Sequence, residues 1–168
     1  ALDAGVTVTM ASNSDGSKRW LVSEDSGAFG GAIRDMWNPE CLGDPGRVFS
    51  NNYYCGEGDN GGVHINSGVP NRAFALLVDG GSANGVDVPG IGLTRAAHIY
   101  WRAMSVYQFP LSDFRDHADL LAISCQDLVG ASLADLLTGE WSGVVITAEH
   151  CAAIEAAITP KTKAIIPM

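Results

Sequence analysis

The residue best placed to do chemistry is a histidine set in Asp59-Asn60-Gly61-Gly62-Val63-His64-Ile65-Asn66-Ser67-Gly68. Asp59 stands upstream on a turn, where its carboxylate can accept a hydrogen bond from one imidazole nitrogen. That bond fixes the tautomer and leaves the other nitrogen to act on a substrate. The paired glycines allow close backbone approach, and loops carry function more often than cores. The plainer reading of the same residues is a structural Asp–His pair bracing a turn. The other three histidines are less promising. His98 and His117 lie in strongly helical stretches beside apolar residues and read as core-edge groups, while His150 reads as a solvated residue of a first helical turn. No two histidines stand at i and i+4 around a glutamate, so the chain has no His-Glu-x-x-His zinc pair.

Four cysteines, Cys41, Cys55, Cys125 and Cys151, include no Cys-x-x-Cys pair, which argues against a tetrahedral zinc site. They allow three pairings. The local ones, Cys41 with Cys55 and Cys125 with Cys151, each close a modest loop. The first would contribute about 3 kcal/mol through chain entropy. Four reduced thiols in a cytosolic protein is the competing reading. Local spacing and scarce lysine favour disulfides, and with them an exported protein.

These groups must be positioned by a chain of 168 residues, long enough for one domain with a single core. The net charge of −9 reflects ten Lys and Arg against nineteen Asp and Glu. Such a surface repels phosphate backbones, so nucleic acid is excluded as a partner. No window is apolar for the eighteen or so residues a membrane span needs. The first ten residues do not read as a signal peptide, so the targeting segment of an exported protein would lie upstream.

Residues 1–62 are rich in Gly, Asn, Asp and Ser. Residues 6–10 alternate like a short strand, and residues 27–60 read as loops tied down by the first cysteine pair. From residue 66 onward helical signals dominate. The first helix spans residues 69–79, capped by Ser67 and ended by Gly80-Gly81, with Val69, Ala73, Leu76 and Leu77 on one stripe. A second spans 93–107 and puts Ile99, Ala103 and Val106 on one face. In a third, Ser112 caps a repeat of Phe114, Ala118, Leu121, Cys125 and Leu128. The last starts at Thr147 and carries Cys151, Ile154 and Ile158 until Pro160. The expected architecture is mainly α. A loop-rich segment with short strands (1–62) contributes to a cleft and precedes a helical lobe (63–168), the two forming one structural unit.

The stretch from Asp59 through Gly68, continued by Asn71, Ala73, Leu76, Leu77, Gly80 and Gly81, closely resembles the thermolysin-like zinc metallopeptidases. Upstream, Trp20-Leu21-Val22-Ser23-Glu24-Asp25, Ile33-Arg34-Asp35-Met36, Asn38-Pro39 and Gly43-Asp44-Pro45 resemble further segments of that family. Downstream, residues 88–107 and 112–128 resemble its later helices, so the likeness covers about residues 15 to 158.

The resemblance implies roles. His64 would donate a hydrogen bond to the oxyanion formed when zinc-activated water attacks the scissile carbonyl, and Asp59 would hold that histidine. Arg34 would bind the carbonyl oxygen of the residue after the scissile bond, through a planar, always charged fork. Ile33 and Val22 would line the adjacent pocket for large apolar side chains. Glu24 and Asp25 match calcium-binding acids of the family. Arg19 stands near a usual third acid and the segment 25–34 is short, so at most one calcium site is expected, with ligands from elsewhere. The family's zinc ligands and general-base glutamate all precede the part that this chain matches. Zinc would therefore be held by an N-terminal catalytic half, the implied partner, and this chain alone would be inactive toward peptide or protein substrates. The implied setting is extracellular. The alternative is a non-catalytic peptide-binding or interaction module of the same fold. Residues 160–168 have no recognised counterpart in the family.

Overall fold

The structure, a computed structural model, describes residues 18–157. The expected strand at 6–10 and the stop at Pro160 lie outside them. The chain divides into two compact units, Ala1–Ala75 and Leu76–Met168, with the boundary inside a helix.

The first unit is organised by polar groups that clamp turns. A short antiparallel ribbon pairs β1 (Leu21–Val22) with β2 (Arg34–Asp35), setting Val22 opposite Arg34. A 3-10 turn, Pro39–Leu42, follows. Buried Asp35 holds the two together by accepting from the backbone N–H groups of Trp37 and Asn38, each at 2.9 Å. Next comes a single helical turn, α1 (Gly58–Gly62), then α2 (Gly68–Asp79), which carries the unit boundary. Trp20 packs edge-on against Phe74 of α2 at 6.0 Å. Asp35, Asp44, Ser50 and Asn66 are all buried in this unit, a high polar share for so small a core.

The second unit buries an ordinary apolar core that includes Leu77, Ile99, Leu133, Ile146 and Ile154. A hairpin joins β3 (Gly81–Ala83) to β4 (Val86–Val88) through Asn84 and Gly85, both at positive φ. That is the backbone a two-residue hairpin turn requires, and Asn-Gly suits it. Helix α3 (Leu93–Arg102) runs into a π-helical turn, Ala103–Tyr107. The wider turn changes the helical register. Ile99 and Ala103 are buried as expected, but Val106 is 55% exposed, correcting the expected apolar face. The turn is fastened to α4 (Phe114–Asp127), because Arg102 and the Tyr107 hydroxyl both donate to Asp127. These bonds hold the Asp127 carboxyl below its usual range, the Tyr107 bond having the largest effect.

The cap of α4 is Asp113, which forms a reciprocal box with Asp116; Ser112 instead accepts from the Phe109 N–H. A second, unexpected hairpin pairs β5 (Ser132–Ala134) with β6 (Trp141–Val145). Helix α5 (Ala148–Ala157) follows Thr147, whose N–H donates to His150 Nδ1 at 3.0 Å. His98 meets the Ala134 carbonyl at 2.8 Å. His117 packs on Tyr100 and is held below its ordinary pKa by burial. Cys125 of α4 is bonded to Cys151 of α5.

Candidate functional site

The site grows from four consecutive residues in the left-handed region: Asp59, Asn60, Gly61 and Gly62, with φ of 52°, 48°, 80° and 84°. Asp and Asn tolerate that region better than other side-chain-bearing residues, and glycine enters it freely. The turn is closed by the Val63 N–H donating to the Asp59 carbonyl at 3.0 Å and the Asn66 N–H to the Gly62 carbonyl at 2.7 Å. Buried Asn66 then clasps Tyr54 from both sides, donating to its carbonyl and accepting from its N–H, both at 2.9 Å.

Within this frame the Asp59 carboxylate is divided between ring and backbone. Oδ1 meets His64 Nδ1 at 2.5 Å, while Oδ2 accepts from the N–H groups of His64 at 2.9 Å and Ile65 at 3.2 Å. Hydrogen bonding to His64, then to those N–H groups, holds the Asp59 carboxyl below its ordinary value of 3.8. A lowered folded-state value stabilises the turn above the unfolded carboxyl's pKa and is lost as pH falls through the folded value. The Ile65 amide signal is therefore expected to follow a carboxyl midpoint below the ordinary 3.8. A midpoint at or above that value would exclude the pairing.

His64 is held at its backbone as well as its ring. Its carbonyl accepts from Ser67 Oγ at 2.6 Å and from Arg34 Nη2 at 3.2 Å. Ser67 precedes α2 as expected of a cap, yet its hydroxyl is committed to this brace. Arg34 also donates from Nη1 to the Ile33 carbonyl at 2.7 Å, and its Nε lies 3.5 Å from Asp44 Oδ2. The Ile33 N–H donates to the Val22 carbonyl at 3.0 Å, so Val22, Ile33 and Arg34 stand together on the ribbon. The imidazole side chain is 74% exposed, its Nδ1 committed and its Nε2 open.

The other expected site residues are arranged differently. Asp25 faces Lys18 at 3.8 Å in an exposed pair, beside half-buried Glu24. Among the described residues no group of three or more His, Cys, Asp or Glu could hold a metal ion. The expected Cys41–Cys55 bridge is corrected: both remain thiols. The Cys41 thiol donates to Asp35 Oδ2 at 3.6 Å, and that of Cys55 to the Tyr53 carbonyl at 3.9 Å. Partial desolvation of the sulfur and the Asp35 charge push Cys41 up to about 11, which suppresses its thiolate. The expected Cys125–Cys151 bridge is formed. Asn66 and Asp44 support the site and stood out in the sequence only as parts of the segments quoted above, while Tyr54, which Asn66 clasps, carried no sequence signal.

The described residues thus set a carboxylate-held histidine on a left-handed turn, with an arginine on its carbonyl. The chain belongs to the thermolysin-like metallopeptidases: residues 3–144 match the family model described as the thermolysin metallopeptidase, alpha-helical domain. It is 42% identical over 116 residues to a bacillolysin of Brevibacillus brevis, covering 67% of this chain and 22% of the relative. It is 39% identical over 116 residues to a thermolysin of Alicyclobacillus acidocaldarius, covering 67% and 21% respectively. A Bacillus cereus bacillolysin is 38% identical over 120 residues, covering 70% and 21%. The chain thus spans about a fifth of the length of these curated relatives.

Proposed function

We propose that this chain is the oxyanion-stabilising and substrate-binding lobe of an exported zinc-dependent endopeptidase. The observation that carries the reading is the double hold on His64: Asp59 grips its ring and its N–H, while Arg34 and Ser67 grip its carbonyl. With Nδ1–H committed to an ionised carboxylate, Nε2 becomes a donor when the ring carries both protons. A donor fixed in advance at a developing oxyanion lowers the barrier without reorganisation. Arg34 would take the carbonyl oxygen of the residue after the scissile bond, and Ile33 and Val22 would wall the adjoining apolar pocket.

The described residues do not fit a zinc site, so zinc would be held by residues of an N-terminal half outside this chain, and the chain alone would not hydrolyse peptides. Glu24 and Asp25 would serve calcium only with ligands from elsewhere. Export is supported by the Cys125–Cys151 disulfide. No helix among the described residues is long and apolar enough to cross a membrane.

The test is to join this chain to the zinc-binding half of a thermolysin relative and supply a peptide with leucine after the cleavable bond. Hydrolysis is expected. Binding of that peptide without hydrolysis would favour a non-catalytic peptide-binding module, and loss of both would overturn the reading.

A further inference from the structure

Asp44 is a buried acid that the proposed function does not use, 8% exposed in the turn after the 3-10 segment. Its setting is specific. Pro39 and Pro45 around it are fully buried, and its N–H donates to the Pro39 carbonyl at 3.1 Å. The first residue of α2 lies against this turn. A Cβ added to Gly68 would stand 2.5 Å from the Pro45 carbonyl oxygen and 3.1 Å from Asp44 Cβ. Glycine at that position lets helix and turn close on the carboxylate.

Burying a carboxylate against a single arginine is a poor way to gain stability, because desolvation offsets most of the attraction. Position is the more economical explanation, and the donors of Arg34 show what is positioned. Its guanidinium has five N–H groups. Nε faces Asp44, one Nη1 hydrogen serves the Ile33 carbonyl, and one Nη2 hydrogen serves the His64 carbonyl. Among the described residues, one N–H on each Nη is left over.

We propose that Asp44 is a positioning residue: by anchoring Nε it fixes the plane of Arg34 and keeps the two remaining N–H groups ready for a peptide carbonyl. This rests on the role given to Arg34 above. The groups facing Asp44 are the Arg34 guanidinium from β2, the Cys41 thiol from the 3-10 turn, and uncharged Gly68 from α2. Burial raises Asp44 above the ordinary 3.8, opposed by the Arg34 charge. Asp44 therefore takes up its proton at a higher pH than Asp59, whose carboxyl is shifted down.

The experiment is proton–nitrogen NMR of the full chain, following the Arg34 Nε–H signal, with acetyl-Leu-Leu-amide as the peptide probe. A resolved, slowly exchanging Nε–H is expected. It should disappear on acidification before the Ile65 amide shifts. Asp44→Asn should lose the signal at every pH and weaken probe binding about tenfold, whereas Arg34→Ala should abolish binding. Should Asp44→Asn misfold, the wild-type signal still decides: an Nε–H that exchanges at neutral pH as fast as that of a solvent-exposed arginine overturns the proposal. A folded Asp44→Asn protein with unchanged signal and affinity overturns it too, while the role of Arg34 stands if Arg34→Ala still abolishes binding. Unchanged affinity in Arg34→Ala overturns the reading on which the proposal rests.

Discussion

In the joined protein proposed above, His64→Ala is expected to lower kcat by about 10²–10³-fold, with KM nearly unchanged. The asymmetry follows from when the interaction exists. A carbonyl oxygen carries little charge in bound substrate and a full charge in the tetrahedral intermediate, so a donor aimed at it acts on the chemical step. The substitution is also structurally mild. Asp59 Oδ2 would still accept from the backbone N–H groups of residue 64 and of Ile65, and the carbonyl of residue 64 would still accept from Ser67 and Arg34. The removed ring is mostly solvent-exposed. The melting temperature should therefore stay within a few degrees of wild type while turnover collapses. A kcat within threefold of wild type would reduce the Asp59–His64 pair to a brace for its turn. Asp59→Asn is a less clean probe, since it disturbs ring and backbone contacts together.

Loss of the disulfide should have the largest effect on stability. Cys125 and Cys151 are joined across a sequence separation of 26 and are almost wholly buried, at 0% and 2% exposure. Closing a loop of that size restricts the unfolded chain by about 3.5 kcal/mol in the chain-entropy account. For a unit of this size that corresponds to roughly 15–25 °C in melting temperature. The Cys125→Ala, Cys151→Ala double variant is the suitable comparison, because it leaves no buried unpaired thiol. Its thermal melt beside wild type under non-reducing conditions is the measurement. Equal melting temperatures would mean that the bridge contributes nothing in solution. Cys41→Ala and Cys55→Ala serve as controls, since neither residue is bridged in the fold.

How far each feature was legible depends on the range of the interaction behind it. Asp-Asn-Gly-Gly announces a left-handed turn because those residues tolerate positive φ, and its product is a contact only five residues long. Helices α2 and α4 follow from apolar spacing and nearby stops, all within one segment. The two hairpins of the second unit were hidden. Gly81-Ser82-Ala83 has little strand preference, and β5 and β6 are too short for alternation to stand out. The π-helical turn was equally silent, being anchored through Asp127, twenty residues beyond Tyr107.

Within the site, residues close along the chain were enough to specify the Asp59–His64 turn, the helix that follows it, and the family to which both belong. The tertiary structure alone decided that Arg34 meets the His64 carbonyl thirty residues away, that Asp44 closes on Arg34, and that Cys41 gives its thiol to Asp35 and leaves Cys55 unbridged. The physical reason is that turns and helices are chosen by neighbours along the chain. A guanidinium, a carboxylate or a thiol has many candidate partners of equal chemistry, and only the packing of β2, the 3-10 turn and α2 selects among them.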